Sequence, residues 1–402
     1  MLATKHKRTV FHDYFPSMRK QRLFTPGPTP IPETVTLQMA QPILHHRHAE
    51  FIALSKRINR HLQVLFCTEQ PVLTLTSSGT GAAESAITSL FARGETGINI
   101  NNGKFAERWG KMMTIFGMNT VEVMIPWGHA VSEPDYEPLL VEALRAHPQA
   151  ACVWLVHSET STGTFTDIRR MAELIRTHSS ALVCIDGITS VGAHECRTDE
   201  WGLDVVITGS QKGLMIPPGL SFIALSERAW KRVYDERADK IPSFYFSLAQ
   251  ARKEWESNST PWTPAVTLFV GLDKALDMLV EEGIEHVWKR HELLAHGMRA
   301  GVQALGLELF SSSPSNAVTT VHLPPAGKHL VSLLKQKYSA TVIGGQDSLK
   351  DKIFRISHLG FYDEGDMLAL LGVLEHALHE IGQVIQPGSG VAAAQRAFMG
   401  VA

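Results

Sequence analysis

The chain has 402 residues, 44% of them hydrophobic, and 38 Lys and Arg against 40 Asp and Glu give a formal net charge of -2. That length suits one large and one smaller domain, and that apolar fraction supplies a sizeable core. The basic residues form no stripe, which argues against nucleic acid as a partner, and no apolar run is long enough to span a bilayer.

The four cysteines (Cys67, Cys152, Cys184 and Cys196) lie far apart with no C-x-x-C spacing. Buried, reduced thiols in a cytoplasmic protein are the simplest reading. Residues 1–22 are basic and lack the apolar stretch of a secretory signal. They read as an extension, as an arm lying on another subunit, or as a weak organelle-targeting sequence.

Residues 23–32 carry four prolines, which predicts an extended, non-helical segment. A short helix is expected over 33–41. His45, His46 and His48 precede a helix over 49–67, in which Phe51, Leu54, Ile58, Leu62 and Leu65 recur at helical spacing. The histidines invite a metal reading, but no cysteine or carboxylate cluster accompanies them; a loop at an active-site mouth is the alternative.

A strand over 72–76 leads into Ser77-Ser78-Gly79-Thr80-Gly81 and then a helix over 82–92. Strand, small-residue turn and helix N-terminus form an anion site, because the first backbone N–H groups are unpaired and the helix dipole favours negative charge. A capped helix without ligand fits the same residues. The turn is neither G-x-G-x-x-G nor a Walker loop. A strand over 97–101 places Phe105 at the next strand-to-helix turn, where it stacks on a flat ligand or packs in the core. A helix over 106–116, a strand over 121–125, a helix over 136–145 and a strand over 151–156 follow. That last strand ends in His157-Ser158-Glu159-Thr160-Ser161-Thr162-Gly163.

After a helix over 168–177, the apolar strand at 181–185 runs straight into Asp186, a carboxylate that is costly to bury without a cationic partner. Val205, Val206, Ile207 and Thr208, bounded by Gly209, read as another buried parallel strand. Lys212 follows in a loop closed by Pro217-Pro218-Gly219. It therefore lies just past a strand C-terminus, the edge where open α/β sheets bind ligands. Shielded from water, such a lysine loses affinity for its proton and becomes a nucleophile. On this stretch alone it reads as readily as a surface-loop lysine. Alternating strand and helix give right-handed βαβ units and a mostly parallel sheet between helices.

A strand over 222–225 leads into polar, aromatic text. Helices are then expected over 266–282, 283–305, 330–337 and 364–381, and strands over 307–310, 317–322 and 352–356. This gives a large domain over 23–285 and a smaller α+β domain over 286–385. The Gly- and Ala-rich tail, 386–402, is expected to fray.

Four signals thus sit beyond strand C-termini: a phosphate-type turn, an aromatic, a carboxylate and a lysine. Pyridoxal phosphate needs this set for its phosphate, its ring face, its pyridinium nitrogen and its aldehyde. In Pro26-Gly27-Pro28, Ser78-Gly79-Thr80, the segment 157–163, Asp186, Ser210-Gln211-Lys212 and Phe354-Arg355-Ile356-Ser357, the chain resembles class V, fold type I aminotransferases of the alanine–glyoxylate and serine–glyoxylate group.

The resemblance implies transamination between serine or alanine and glyoxylate or pyruvate, by a ping-pong route, in a homodimer with active sites at its interface. Ser78, Gly79, Thr80 and Gln211 would hold the phosphate, Phe105 and Ile188 the two ring faces, and Thr160 the ring oxygen region. Asp186 would pair with the ring nitrogen and Lys212 would be the Schiff-base lysine. Arg355, with Gly27 nearby, would bind the substrate carboxylate as a bidentate fork. Relatives often place a Tyr three residues before a Thr that reaches the partner's phosphate; this chain has Thr260 and Thr263 there. A lyase of the same fold on a small amino acid remains the alternative. A cysteine desulfurase needs a later nucleophilic cysteine, and none follows Cys196. A non-catalytic scaffold would not need the lysine, aspartate and arginine together.

Overall fold

The structure, a computed structural model, describes residues 19–235 and 239–401. The expected N-terminal extension lies, up to residue 18, outside the described residues. Helices α1 (Glu33–Met39) and α2 (Ala49–Phe66) precede a central sheet of seven strands. These are β1 (Val72–Leu75), β2 (Thr96–Asn101), β3 (Asn119–Met124), β4 (Cys152–Val156), β5 (Leu182–Asp186), β6 (Val205–Gly209) and β7 (Ser221–Leu225). Their spatial order is β1-β7-β6-β5-β4-β2-β3. Neighbours run parallel except at β7, which is antiparallel to both β1 and β6. Only the loop 210–220 joins β6 to β7, and it is too short to carry a parallel crossover helix.

Helices α3 (Gly79–Leu90), α4 (Lys104–Ile115), α5 (Glu137–Ala146) and α6 (Ile168–His178) fill the connections after β1 to β4. Alternation along β6 sends Val205 and Ile207 into one apolar cluster and Val206 into the other, so both faces of the sheet are covered. The polar, aromatic stretch after β7, to which the sequence reading assigns no element, holds two further helices, α7 (Glu227–Tyr234) and α8 (Leu248–Trp255). Each begins at a serine whose hydroxyl accepts from a backbone N–H in the first turn, Ser226 from Ala229 and Ser247 from Gln250.

After α9 (Val266–Glu282), α10 (Ile284–Ala304) runs from the first core, where Val287 packs, into a third cluster containing Leu294, Met298 and Val302. That cluster belongs to a small sheet in which β10 (Ile353–Ser357) pairs antiparallel with both β8 (Val318–His322) and β9 (Ile343–Gly344). Helices α11 (Leu330–Tyr338), α12 (Glu364–Glu380) and α13 (Ser389–Met399) complete it. The proline-rich opening segment starts here. Arg22–Leu23 pairs with Ala340–Thr341, and Phe24 stacks on Tyr362 before the chain crosses to the large sheet. No helix among the described residues is long and apolar enough to cross a membrane.

Two expectations fail. Residues 307–310 are not a strand: only an isolated bridge, Leu309 to Val321, forms before Ser311 and Ser312 turn to bond the Gly128 carbonyl. The tail does not fray but forms α13 against α10. Its small residues allow the contact: a Cβ on Gly301 would lie 3.1 Å from the Gly390 carbonyl oxygen. The buried Glu375 carboxylate accepts from the backbone N–H groups of Gly388, Gly390 and Val391, which anchors the start of that helix.

Candidate active site

Lys212 owes its place to the loop after β6. Ser210 Oγ donates to the Pro217 carbonyl at 2.7 Å and accepts from Leu220 N at 3.2 Å, pinning the loop across its own base. Lys212 is buried, and its Nζ donates to the Pro26 carbonyl at 2.8 Å. Gly27 passes so close that a Cβ would lie 2.2 Å from Nζ, and its φ of +146° suits only glycine. Burial pulls the ammonium down to about 8; Asp186 opposes that fall, while Arg355 and Arg108 add to it.

Asp186 is the last residue of β5 and is buried. Its Oδ1 accepts from Ile188 N at 2.9 Å and its Oδ2 from Trp109 Nε1 at 3.0 Å. Burial raises the carboxyl above its usual range; those two hydrogen bonds and the charges of Arg108 and Lys212 work against the rise.

Ser78 is the N-cap of α3, and its hydroxyl makes no capping bond, which leaves it open to a ligand. A Cβ on Gly79 would meet Ile188 Cδ1 at 2.5 Å, so only glycine fits under that side chain. Thr80 Oγ1 accepts from Arg108 at 3.0 Å. Gln211 Oε1 is buried without a partner. These residues line one cavity of about 220 Å³, together with Phe105, Thr160, Asp186, Ile188 and Lys212.

Four expected residues do not line this cavity: Gly27, which packs against Lys212, and Arg355, Thr260 and Thr263. Arg355, buried on β10, sits beside the cavity and does not line it. Its Nη1 donates to the Thr160 carbonyl at 3.0 Å, and its Nε and Nη2 to the Gly344 carbonyl at 3.3 and 2.9 Å. Burial pulls its guanidinium down to about 10, against the charge of Glu159. Thr263 is exposed, Thr260 donates to the Trp262 carbonyl, and neither lines this chain's cavity.

Sequence reasoning missed Trp109 and Arg108. Trp109 is stacked on Trp154 with centroids 3.7 Å apart and grips Asp186 from α4. Arg108 lies 5.2 Å from the Phe105 ring centroid. The helical phase of α4, with Phe105 already placed at its start, was the signal available for both.

The family model described as aminotransferase class-V matches residues 23–366. The chain belongs to the class V aminotransferases. Among its relatives, a protein named soluble hydrogenase, small subunit, from Synechococcus sp. is 40% identical, covering 94% of this chain and 98% of that one. The L-aspartate–glyoxylate aminotransferase of Paracoccus denitrificans is 34% identical (94% and 96% covered), as is the serine–glyoxylate aminotransferase of Methylorubrum extorquens (93% and 95%). The structure of the ureidoglycine–glyoxylate aminotransferase of Bacillus subtilis superimposes with a TM-score of 0.88 at 26% identity, covering 94% and 98%.

A class V aminotransferase uses pyridoxal phosphate, and the residues here fit it. The uncapped Ser78 hydroxyl and the α3 N-terminus suit a phosphate, Gln211 has unused polar capacity, and a buried lysine and a buried carboxylate share the same cavity.

Proposed function

We propose that this class V aminotransferase moves an amino group between a small L-amino acid, serine or alanine, and glyoxylate or pyruvate, by a ping-pong cycle in which Lys212 acts twice. The observation that carries this reading is the meeting of Lys212, Asp186 and the Ser78–Thr80 turn in one cavity of about 220 Å³. Bound pyridoxal phosphate supplies the sink for the electron pair left on a substrate's Cα. Ser78, Gly79, Thr80 and Gln211 hold its phosphate, Phe105 and Ile188 its ring faces, and Thr160 its ring oxygen region. Asp186 holds the proton on its ring nitrogen.

Lys212 would hold the cofactor's aldehyde through Nζ and, as a neutral amine, would move the proton at the substrate's Cα. A lysine held at about 8 keeps a usable neutral fraction near neutral pH. Arg355, held against the Thr160 loop, takes the substrate carboxylate. Its present partners are carbonyls, so its charge remains open to an anion.

The test is a panel of amino donors with glyoxylate and pyruvate as acceptors. Serine or alanine alone should bleach the visible absorbance of the bound cofactor, and glyoxylate should restore it. Release of ammonia, or loss of the donor side chain without a second substrate, makes the protein a lyase instead. Arg355→Lys keeps the charge but loses the fork, so KM for both amino and keto substrates should rise about 10- to 100-fold with the cofactor still bound. Unchanged KM values would remove Arg355 from the substrate site.

The active unit is a homodimer in which Thr260 and Thr263 reach the partner's phosphate. Supporting this, Thr263 is exposed and Phe244, which packs on Trp262, is 78% exposed. Light scattering should find a dimer at assay concentration; a fully active monomer would sink the proposal.

A further inference from the structure

Glu159 is a fully buried carboxylate that the chemistry above leaves unused. Its Oε2 accepts from Phe105 N at 3.1 Å and Ala106 N at 3.0 Å. Its Oε1 accepts from Ser161 N at 3.0 Å and Ser161 Oγ at 2.5 Å. The first two donors are unpaired N–H groups at the start of α4, and Gly103, the N-cap, has no side chain with which to meet them. A Cβ on Gly103 would stand 2.3 Å from Glu159 Cγ, so the glycine leaves room for a cap delivered from the loop after β4. Four donors and the positive end of α4 compensate the buried charge, and the Arg355 guanidinium adds its attraction.

We propose that Glu159 is a positioning residue of the active site, setting the tilt of Phe105 against the cofactor ring and the reach of Arg355 towards the substrate carboxylate. This rests on the proposed function above. One arm runs through the backbone of Phe105, whose ring lines the cavity. The other runs through Ser161 to its neighbour Thr160, whose carbonyl receives Arg355 and whose hydroxyl meets Thr189 Oγ1 at 2.9 Å. One carboxylate thereby fixes the ring-stacking aromatic and the carboxylate-binding arginine relative to each other, across the gap between the large sheet and β10. Glutamine cannot replace it, because all four partners donate. An amide offers one oxygen and one NH₂, so one arm must face a donor.

The test reconstitutes Glu159→Gln with pyridoxal phosphate. KM for serine and glyoxylate should rise about tenfold with a smaller fall in kcat, and the visible circular dichroism of the bound cofactor should change about twofold in amplitude. In a Phe105→Leu background the added Glu159→Gln should leave that dichroism unchanged, because this arm acts only through Phe105. Ser161→Ala keeps both Glu159 contacts to α4 but also takes away the hydroxyl that accepts from Lys104 N at 3.0 Å, so it should raise KM about threefold. A Glu159→Gln protein that melts earlier but keeps wild-type KM, kcat and dichroism below its midpoint reduces Glu159 to a structural cap. If that variant does not fold, unchanged KM in Ser161→Ala overturns the proposal. Failure of the underlying function would show separately, as a wild type that binds no pyridoxal phosphate or transfers no amino group.

Discussion

Lys212→Ala is expected to bind pyridoxal phosphate without a covalent link and to turn over at least about a thousandfold more slowly than the wild type. Two separate losses combine. Among the described residues Lys212 is the only lysine lining the cavity, so no described neighbour can take up the aldehyde in its place. It is also the group held near the pKa that proton transfer at Cα requires, brought to about 8 by burial against the pull of Asp186. Removing a positioned acid–base group typically costs about 10²–10⁴ in rate on its own. The fold should survive, because the one hydrogen bond lost is that to the Pro26 carbonyl, at a cost of about 1–3 kcal/mol. The check is borohydride reduction followed by peptide mapping, alongside steady-state rates. The wild type should carry its label on Lys212 and the variant none; a label on any other lysine would overturn the assignment.

Much of this site was legible because buried parallel strands read as unbroken apolar runs. Val205–Gly209 and Leu182–Asp186 could be found by that signal, and the chemistry lies where each run stops. What escaped was decided across the chain. Helical phase puts Trp109, one of eight tryptophans, on the same face as Phe105, but its bond to a carboxylate on β5 depends on a strand far off in the chain. Arg355 could be placed on an apolar strand, but its carbonyl partners come from the Thr160 loop and from Gly344 on a neighbouring strand. Glu159 stood in plain view within the segment 157–163; its partners at the start of α4 did not. Helices α7 and α8 were hidden by charge-rich composition, although their serine caps could have marked both starts. The tail misleads in the opposite sense: its Gly- and Ala-rich composition predicts fraying, whereas those small residues let α13 lie close on α10.

Asp186→Asn should keep the fold and the bound cofactor yet lose about a hundredfold or more in kcat. The change is nearly isosteric, but both present partners of the carboxylate, Ile188 N–H and Trp109 Nε1–H, are donors. An asparagine can accept from one of them and must turn its NH₂ towards the other. More consequential is the missing charge. A carboxylate buried at the end of β5 favours a proton on the cofactor's ring nitrogen, and a neutral amide does not, so the electron pair at Cα finds a poorer sink. Cofactor affinity should fall much less, since Lys212 and the Ser78–Thr80 turn remain intact. Two measurements separate this role from a packing defect: kcat for serine with glyoxylate, and the same assay after reconstitution with N-methylated pyridoxal phosphate, whose ring carries its positive charge without a proton. The methylated cofactor should recover part of the lost rate in Asp186→Asn and bring no gain in the wild type. Near-wild-type turnover of Asp186→Asn with the natural cofactor would strip Asp186 of this role, and absence of any recovery would place the defect in packing around Trp109 rather than in the charge.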